Sequence, residues 1–339
     1  MKVLSCRAVT PWQPQNKQKE RVNMNAGKVF TERYLKLMFK SLRDATPEEV
    51  DAELEHCRRE NRRPVKIPRY FRGFFTEEEK YHASTGFEMQ VFSHNESSQR
   101  KARSLSLSKG RHKRKLILYL HGGAFIYPPV FFHWRFLHDL CLRTHCDALL
   151  PVYPKSPEFV CEYSVKTLLE YYQSISESNQ YDEIHLVGDS AGACLCLIVA
   201  QEAHKNGWQQ PTTTTLLSPC VDLSHTKEAD MRALQDKDNM LQLDRVITLN
   251  AIWQGNLPVK HPWVSPVFGD FSGVDNLYVY YGSDEILQPD DLLLKETYEK
   301  AGKTGHFYEY EGMFHTFAMF PIPEGFRAVK EMANIIKKQ

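Results

Sequence analysis

Six short apolar segments recur from residue 115 onward, and each breaks on small or polar residues: LILYLHGG, ALLPVYP, EIHLVGD, TTLLSPC, LYVYYGS and HFYEYEG. Helical stretches separate them. Strands that are apolar throughout, rather than on alternate residues, must be covered on both faces. Alternation with helices then implies a mostly parallel central sheet flanked by helices, an α/β architecture. In such sheets ligands sit beyond the carboxyl ends of the strands. The residues that close each segment are therefore where chemistry is to be sought. No internal repeat is visible.

The third segment runs into Gly188-Asp189-Ser190-Ala191-Gly192, followed by the helical ACLCLIVAQEAHK. Two glycines around a serine make an ordinary tight turn or the strained strand-to-helix elbow that exposes a nucleophile. A serine hydroxyl needs exposure of Oγ and a base to take its proton. Small residues at 188 and 192 let strand and helix pass closely. In proteins built on such an elbow the chain order is nucleophile, acid, base. The base is expected after the last strand, which leaves His306 and His315. His306 opens HFYEYEG as a strand residue, whereas His315 follows that strand in GMFHTF, so His315 is the expected base. The acid is expected at the end of the preceding strand, where Asp284 stands in LYVYYGSDEIL with Glu285 as the neighbour that could be mistaken for it. Asp290 and Asp291 fall at a helix start and read as capping residues.

Acyl transfer develops an oxyanion that preorganised backbone N–H groups stabilise. In YLHGGAFIYPP, Gly122, Gly123 and Ala124 can supply donors, with Ala191 adding one from the elbow. Phe125 and Tyr127 follow this loop and are candidates for lining a substrate pocket. His133 and His138 are wrongly spaced on a helix to share a metal, and no metal or cofactor is implied.

These motifs make the chain resemble the hormone-sensitive-lipase family of α/β hydrolases, which includes bacterial acetyl esterases and arylacetamide-deacetylase-like enzymes. The resemblance rests on HGGAF at 121–125, GDSAG at 188–192, SPCVDL at 218–223, WVSPVFGDFSG at 263–273, GSDEIL at 282–287 and FHTF at 314–317, in the family's order. It implies the α/β-hydrolase fold with a helical cap, Ser190 as nucleophile, Asp284 as acid and His315 as base. His121 would shape the oxyanion loop. By the same resemblance residues 1–84 form an N-terminal helical cap, 85–339 the catalytic domain, and about 225–262 a second cap segment. The chain departs from the pattern at Ala124, where a third glycine is commoner, in VYPKSPE, and in a longer basic insert at 99–115.

The helical reading of the first part rests on FTERYLKLMFKSL and on TPEEVDAELEHCRRENRR, with Thr46 as N-cap, Pro47 in the first turn and Glu49 completing a capping box. With 43 Lys and Arg against 42 Asp and Glu, the net charge is +1, so no global field favours nucleic acid, and the basic insert reads as a solvated loop. The first residues lack the apolar core of a secretory signal, and no apolar run is long enough to cross a bilayer. The eight cysteines lack metal-site spacing and read as reduced thiols, which points to the cytoplasm. The expected activity is hydrolysis of short- to medium-chain carboxylic esters through an acyl-enzyme. Amide or formamide hydrolysis uses the same groups. A small-molecule receptor on this fold is a third reading, disfavoured because His315 is present.

Overall fold

The computed structural model describes residues 47–94 and 114–339. The expected helix over 30–42, the Thr46 cap and nearly all of the basic insert lie outside these residues. Among the described residues eight strands form one sheet in the order β1-β4-β6-β5-β7-β8-β9-β10. They are β1 (Phe75–Glu77), β4 (Val91–His94), β5 (Lys115–Leu120), β6 (Asp147–Pro151), β7 (Glu183–Asp189), β8 (Thr213–Leu217), β9 (Leu277–Gly282) and β10 (His306–Tyr310). The strands β2 (Tyr81–His82) and β3 (Glu88–Met89) pair separately. From β6 to β10 every pairing is parallel, while β1 and β4 add an antiparallel edge.

Side chains along β5 show why the strands are apolar throughout. Leu116, Leu118 and Leu120 face one core, and Ile117 and Tyr119 face the other. The first core packs against α3 (Cys161–Glu177), α4 (Ala191–Lys205) and α7 (Gln288–Lys300). The second packs against α2 (Phe131–Thr144) and α8 (Pro323–Lys338), whose Ala328, Val329, Met332, Ala333 and Ile336 form one buried stripe. Helix α4 is buried from Ala191 to Ala203, so its continuous apolar sequence is that of a helix enclosed by the core.

The remaining helices among the described residues are α1 (Pro47–Asn61), α5 (Glu228–Leu234) and α6 (Leu243–Gln254). The last two fall inside the expected second cap segment. Within the described part of the N-terminal region, residues 47–84, one α-helix is present. After α1 the chain forms a single 3-10 turn at Arg69–Phe71 and then β1, which is already part of the main sheet and lies before the expected boundary at residue 85. The sequence FFTEEEKYH carries too few apolar residues to signal a strand, and β1 is only three residues long at the sheet edge.

Register brings the functional loops together. Leu120 pairs with Gly188, Asp189 with Leu217, Leu217 with Tyr280, and Gly282 with Tyr310. The segments that follow β5, β7, β8, β9 and β10 therefore all emerge along one end of the sheet.

Candidate active site

At the end of β7, Ser190 adopts φ 51° and ψ −120°, a conformation disfavoured for any residue with a Cβ. Its neighbours enforce it. A Cβ on Gly192 would overlap the carbonyl oxygens of Leu120 and His121, and one on Gly188 would overlap the backbone of Gly192. The Ser190 N–H donates to the Leu217 carbonyl at 2.8 Å, locking the elbow to β8. Among buried neighbours Ser190 remains partly exposed.

Asp189, the acidic residue inside the elbow motif, points away from solvent toward the oxyanion loop. Its carboxylate accepts from the Tyr119 hydroxyl at 2.5 Å and from the Gly122 N–H at 2.9 Å, and His133 Nε2 lies 3.4 Å away. Burial pushes this carboxyl up, but His133, Tyr119 and Gly122 together outweigh it and hold it below the usual range. One expected donor is thereby removed. The Gly122 N–H faces Asp189 rather than the cleft and donates its hydrogen bond to that buried carboxylate, on which the glycine packs too closely to carry a Cβ.

Gly123 and Ala124 are partly exposed, and their N–H groups, like that of Ala191 in the first turn of α4, have no acceptor among the described residues. These three can serve an oxyanion. Ala124 does enter the left-handed region, at φ 51°, and Phe125 follows at 61°. Two successive non-glycine residues in this region are unusual. His121 is buried, its ring stacked on Tyr153 at 4.6 Å and its Nδ1 2.7 Å from the Gly122 carbonyl, which requires Nδ1 to be the donor. Burial, reinforced by His133 and Lys155, drops its pKa to about 3, so it stays neutral and braces the loop.

The pocket candidates are placed differently from expectation. Phe125 is fully buried and stacks on Trp253 of α6 at 3.7 Å, so it joins the core instead of lining a cleft. Tyr127 is half-buried and its hydroxyl bonds to Glu53 and Arg245.

On the other side of the elbow, His315 is almost wholly buried, with Nδ1 2.6 Å from Glu285 Oε2. The carboxylate facing His315 thus belongs to Glu285, not to Asp284. The cause is local. After β9 the chain turns, and Asp284 donates its N–H to the Met313 carbonyl at 3.0 Å. This turns the Asp284 side chain outward, where it accepts from Ser283 Oγ at 3.1 Å, and turns the next residue inward. Glu285 Oε1 accepts from the Gly282 N–H at 2.7 Å and from Ser218 Oγ at 2.9 Å. Ser218 Oγ in turn accepts from the Thr316 N–H at 2.9 Å. Gly282 must be glycine here, since a Cβ would overlap the Met313 carbonyl oxygen where the acid and histidine loops touch.

Burial pushes the His315 pKa down, but the hydrogen bond to Glu285 and its charge, helped by Asp238 and Asp189, more than reverse this and leave it raised. With Nδ1 held by Glu285, Nε2 is the nitrogen available for proton transfer. His306 lies in β10, exposed and stacked on Tyr278. Asp290 does not cap its own helix. Its Oδ2 accepts from the N–H groups of Val221 and Asp222 at 3.2 Å, bracing the loop after β8. Asp291 is buried with both carboxyl oxygens unpartnered among the described residues. A surface cavity of about 510 Å³, lined by Tyr81, Arg114, Asp147, Tyr171 and Tyr181, opens near the amino ends of the parallel strands, opposite to Ser190.

A strained serine elbow, free N–H groups beside it, and a buried carboxylate–histidine pair on the loops of β9 and β10 define an α/β hydrolase. The alpha/beta hydrolase fold family matches residues 117–319, and the chain belongs to it. It is a hydrolase of the esterase and lipase kind. An esterase from Acinetobacter venetianus is 30% identical over 224 residues, covering 65% of this chain and 74% of that relative. An acetyl-hydrolase from Streptomyces hygroscopicus is 29% identical over 229 residues, again 65% and 74%. Among solved structures, an esterase candidate from Staphylococcus aureus superposes with a TM-score of 0.75 at 27% identity, over 87% of this chain and 95% of its own. A hormone-sensitive lipase from a metagenome library shares the fold, with a TM-score of 0.70 at 20% identity over 91% and 97%.

Proposed function

We propose that this chain hydrolyses short- to medium-chain carboxylic esters through an acyl-enzyme on Ser190, with His315 as base and Glu285 as acid. The observation that carries the reading is the buried His315–Glu285 bond on the loops beside a strained, partly exposed serine. Ser190 Oγ attacks the ester carbonyl as His315 Nε2 takes its proton. The N–H groups of Gly123, Ala124 and Ala191 hold the oxyanion. The imidazolium then protonates the departing alcohol, and water, activated by the same nitrogen, releases the acid. Glu285 keeps the imidazole in the required tautomer and stabilises its protonated form. Helix α1 with the segment holding α5 and α6 would cover the site as a cap. Apolar side chains from both, Leu54, Cys57, Leu249 and Ile252, meet Ala124 and Ile126 of the oxyanion loop. A roof of this kind favours acyl chains of about eight carbons or fewer.

Near-neutral charge gives no support to nucleic acid as a partner. No described helix is long and apolar enough to cross a membrane. Seven cysteines among the described residues are buried, which suits a reducing compartment such as the cytoplasm. The test is a fluorophosphonate probe combined with p-nitrophenyl esters of increasing chain length. The wild type should label and turn over acetate and butyrate esters, and Ser190→Ala should lose both. Full labelling of the alanine variant would refute the assignment.

A further inference from the structure

Two segments distant in sequence meet over the oxyanion loop. Helix α1 presents Glu53, Leu54 and Cys57, helix α6 presents Arg245, Leu249 and Ile252, and the loop presents Ala124, Ile126 and Tyr127. At their junction is a closed polar ring. The Tyr127 hydroxyl donates to Glu53 Oε1 and accepts from Arg245 Nη2 at 2.9 Å, while the same guanidinium nitrogen bonds Glu53 Oε2. Arg245 is 8% exposed. A second tether comes from the end of α1, where Asn61 Nδ2 donates to the Ile126 carbonyl at 3.0 Å and the Ser156 carbonyl at 3.2 Å.

The loop needs such restraint. Ala124 and Phe125 both hold a left-handed backbone that a Cβ disfavours, and such conformations persist only where the surroundings over-determine them. Within the loop, the N–H groups of Ile126 and Tyr127 return to the Gly123 carbonyl at 2.9 and 2.8 Å, so a pull on Tyr127 is passed directly to Gly123. Gly123 and Ala124 carry two of the three N–H groups assigned to the oxyanion.

We propose that Glu53, Tyr127 and Arg245 form a latch by which the cap positions the oxyanion donors, so that the two cap segments set the rate of the chemical step as well as covering the site. All three are positioning residues. This rests on the acyl-enzyme reading above. A latch acting on the donors affects the transition state more than the bound ester, so it should appear in kcat rather than in KM.

The experiment measures kcat and KM for p-nitrophenyl acetate, with active sites counted by fluorophosphonate titration, so that unfolded protein is not counted. Tyr127→Phe keeps the ring and the Glu53–Arg245 pair. The double variant Glu53→Gln with Arg245→Met avoids leaving a buried charge without its partner. Both are expected to lower kcat per titrated site about tenfold while KM stays within about twofold, since small displacements of catalytic groups act on the rate. Arg245→Lys, which retains a donor to Glu53 and Tyr127, should recover most of that loss. Unchanged kcat per site in Tyr127→Phe and the double variant, with only a lower melting temperature, would overturn the latch. Failure of the wild type itself to label or turn over would instead overturn the acyl-enzyme reading.

Discussion

The two halves of the site are built by different physics. On the Ser190 side, shape decides. Gly188 and Gly192 allow backbone contacts that no other residue could make, and Ser190 is held in a strained conformation by the backbone around it. On the His315–Glu285 side, hydrogen bonds decide. Glu285 is held by Gly282, Ser218 and His315, and Ser218 joins the acid loop to the histidine loop through Thr316. A half fixed by sterics fails by not folding. A half fixed by side-chain hydrogen bonds keeps its fold and loses rate.

The sharpest way to break this contrast is at its extremes. His315→Ala should lower kcat by roughly 10³-fold or more, as loss of a triad base does, in protein that still unfolds cooperatively, with a lowered midpoint because buried Glu285 loses its partner. His306→Ala should cost little, because His306 is exposed in β10. Equal losses in both would remove His315 from its role. Gly192→Ala should do the opposite, destabilising the protein by about 3 kcal/mol or more through overlap with the Leu120 carbonyl. That is a large share of the stability of a typical domain. A denaturant titration showing Gly192→Ala as stable as the wild type would contradict the steric account. Ser218→Ala should have a smaller effect, about tenfold in kcat, because Glu285 keeps its bonds to Gly282 and His315.

The smallest effect, and the most specific, is on pH. Because the folded-state pKa of His315 is raised, kcat/KM should fall as pH drops through a value above the usual imidazole pKa of about 6.5, since the base must be neutral. The contribution of His315 to stability runs the other way. It is fully present below the unfolded pKa and is lost as pH rises through the folded one. In Glu285→Gln, burial remains without the carboxylate that opposes it, so any residual activity should titrate at lower pH than in the wild type. A profile unmoved by that substitution would separate Glu285 from the histidine.

The contrast also explains what could be read from the sequence. Glycines enforced by close approach leave a pattern in the chain, so Ser190, the HGGAF loop and the order of loops along the sheet were all legible, as was the parallel sheet from its apolar strands. The direction of a side chain in a turn leaves no such pattern. Asp284 and Glu285 are adjacent carboxylates, and which one faces inward is set by bonds to residues far along the chain, Asp284 N–H to Met313 and Glu285 to Ser218 and His315. Gly122 was likewise counted as an oxyanion donor because nothing in HGG shows that its N–H turns to Asp189. Tyr127 and Phe125 follow the loop as pocket aromatics would, yet their partners, Glu53, Arg245 and Trp253, lie far off in the chain.

The central claim is that Ser190 and His315 act with Glu285. It is tested most directly by kcat/KM for p-nitrophenyl acetate in Glu285→Gln beside Asp284→Asn, each corrected for titrated active sites. The account predicts that Glu285→Gln falls by roughly 10³-fold or more and that Asp284→Asn stays within about threefold of the wild type, as expected for a side chain held outside the transition-state contacts. The reverse ranking would contradict it.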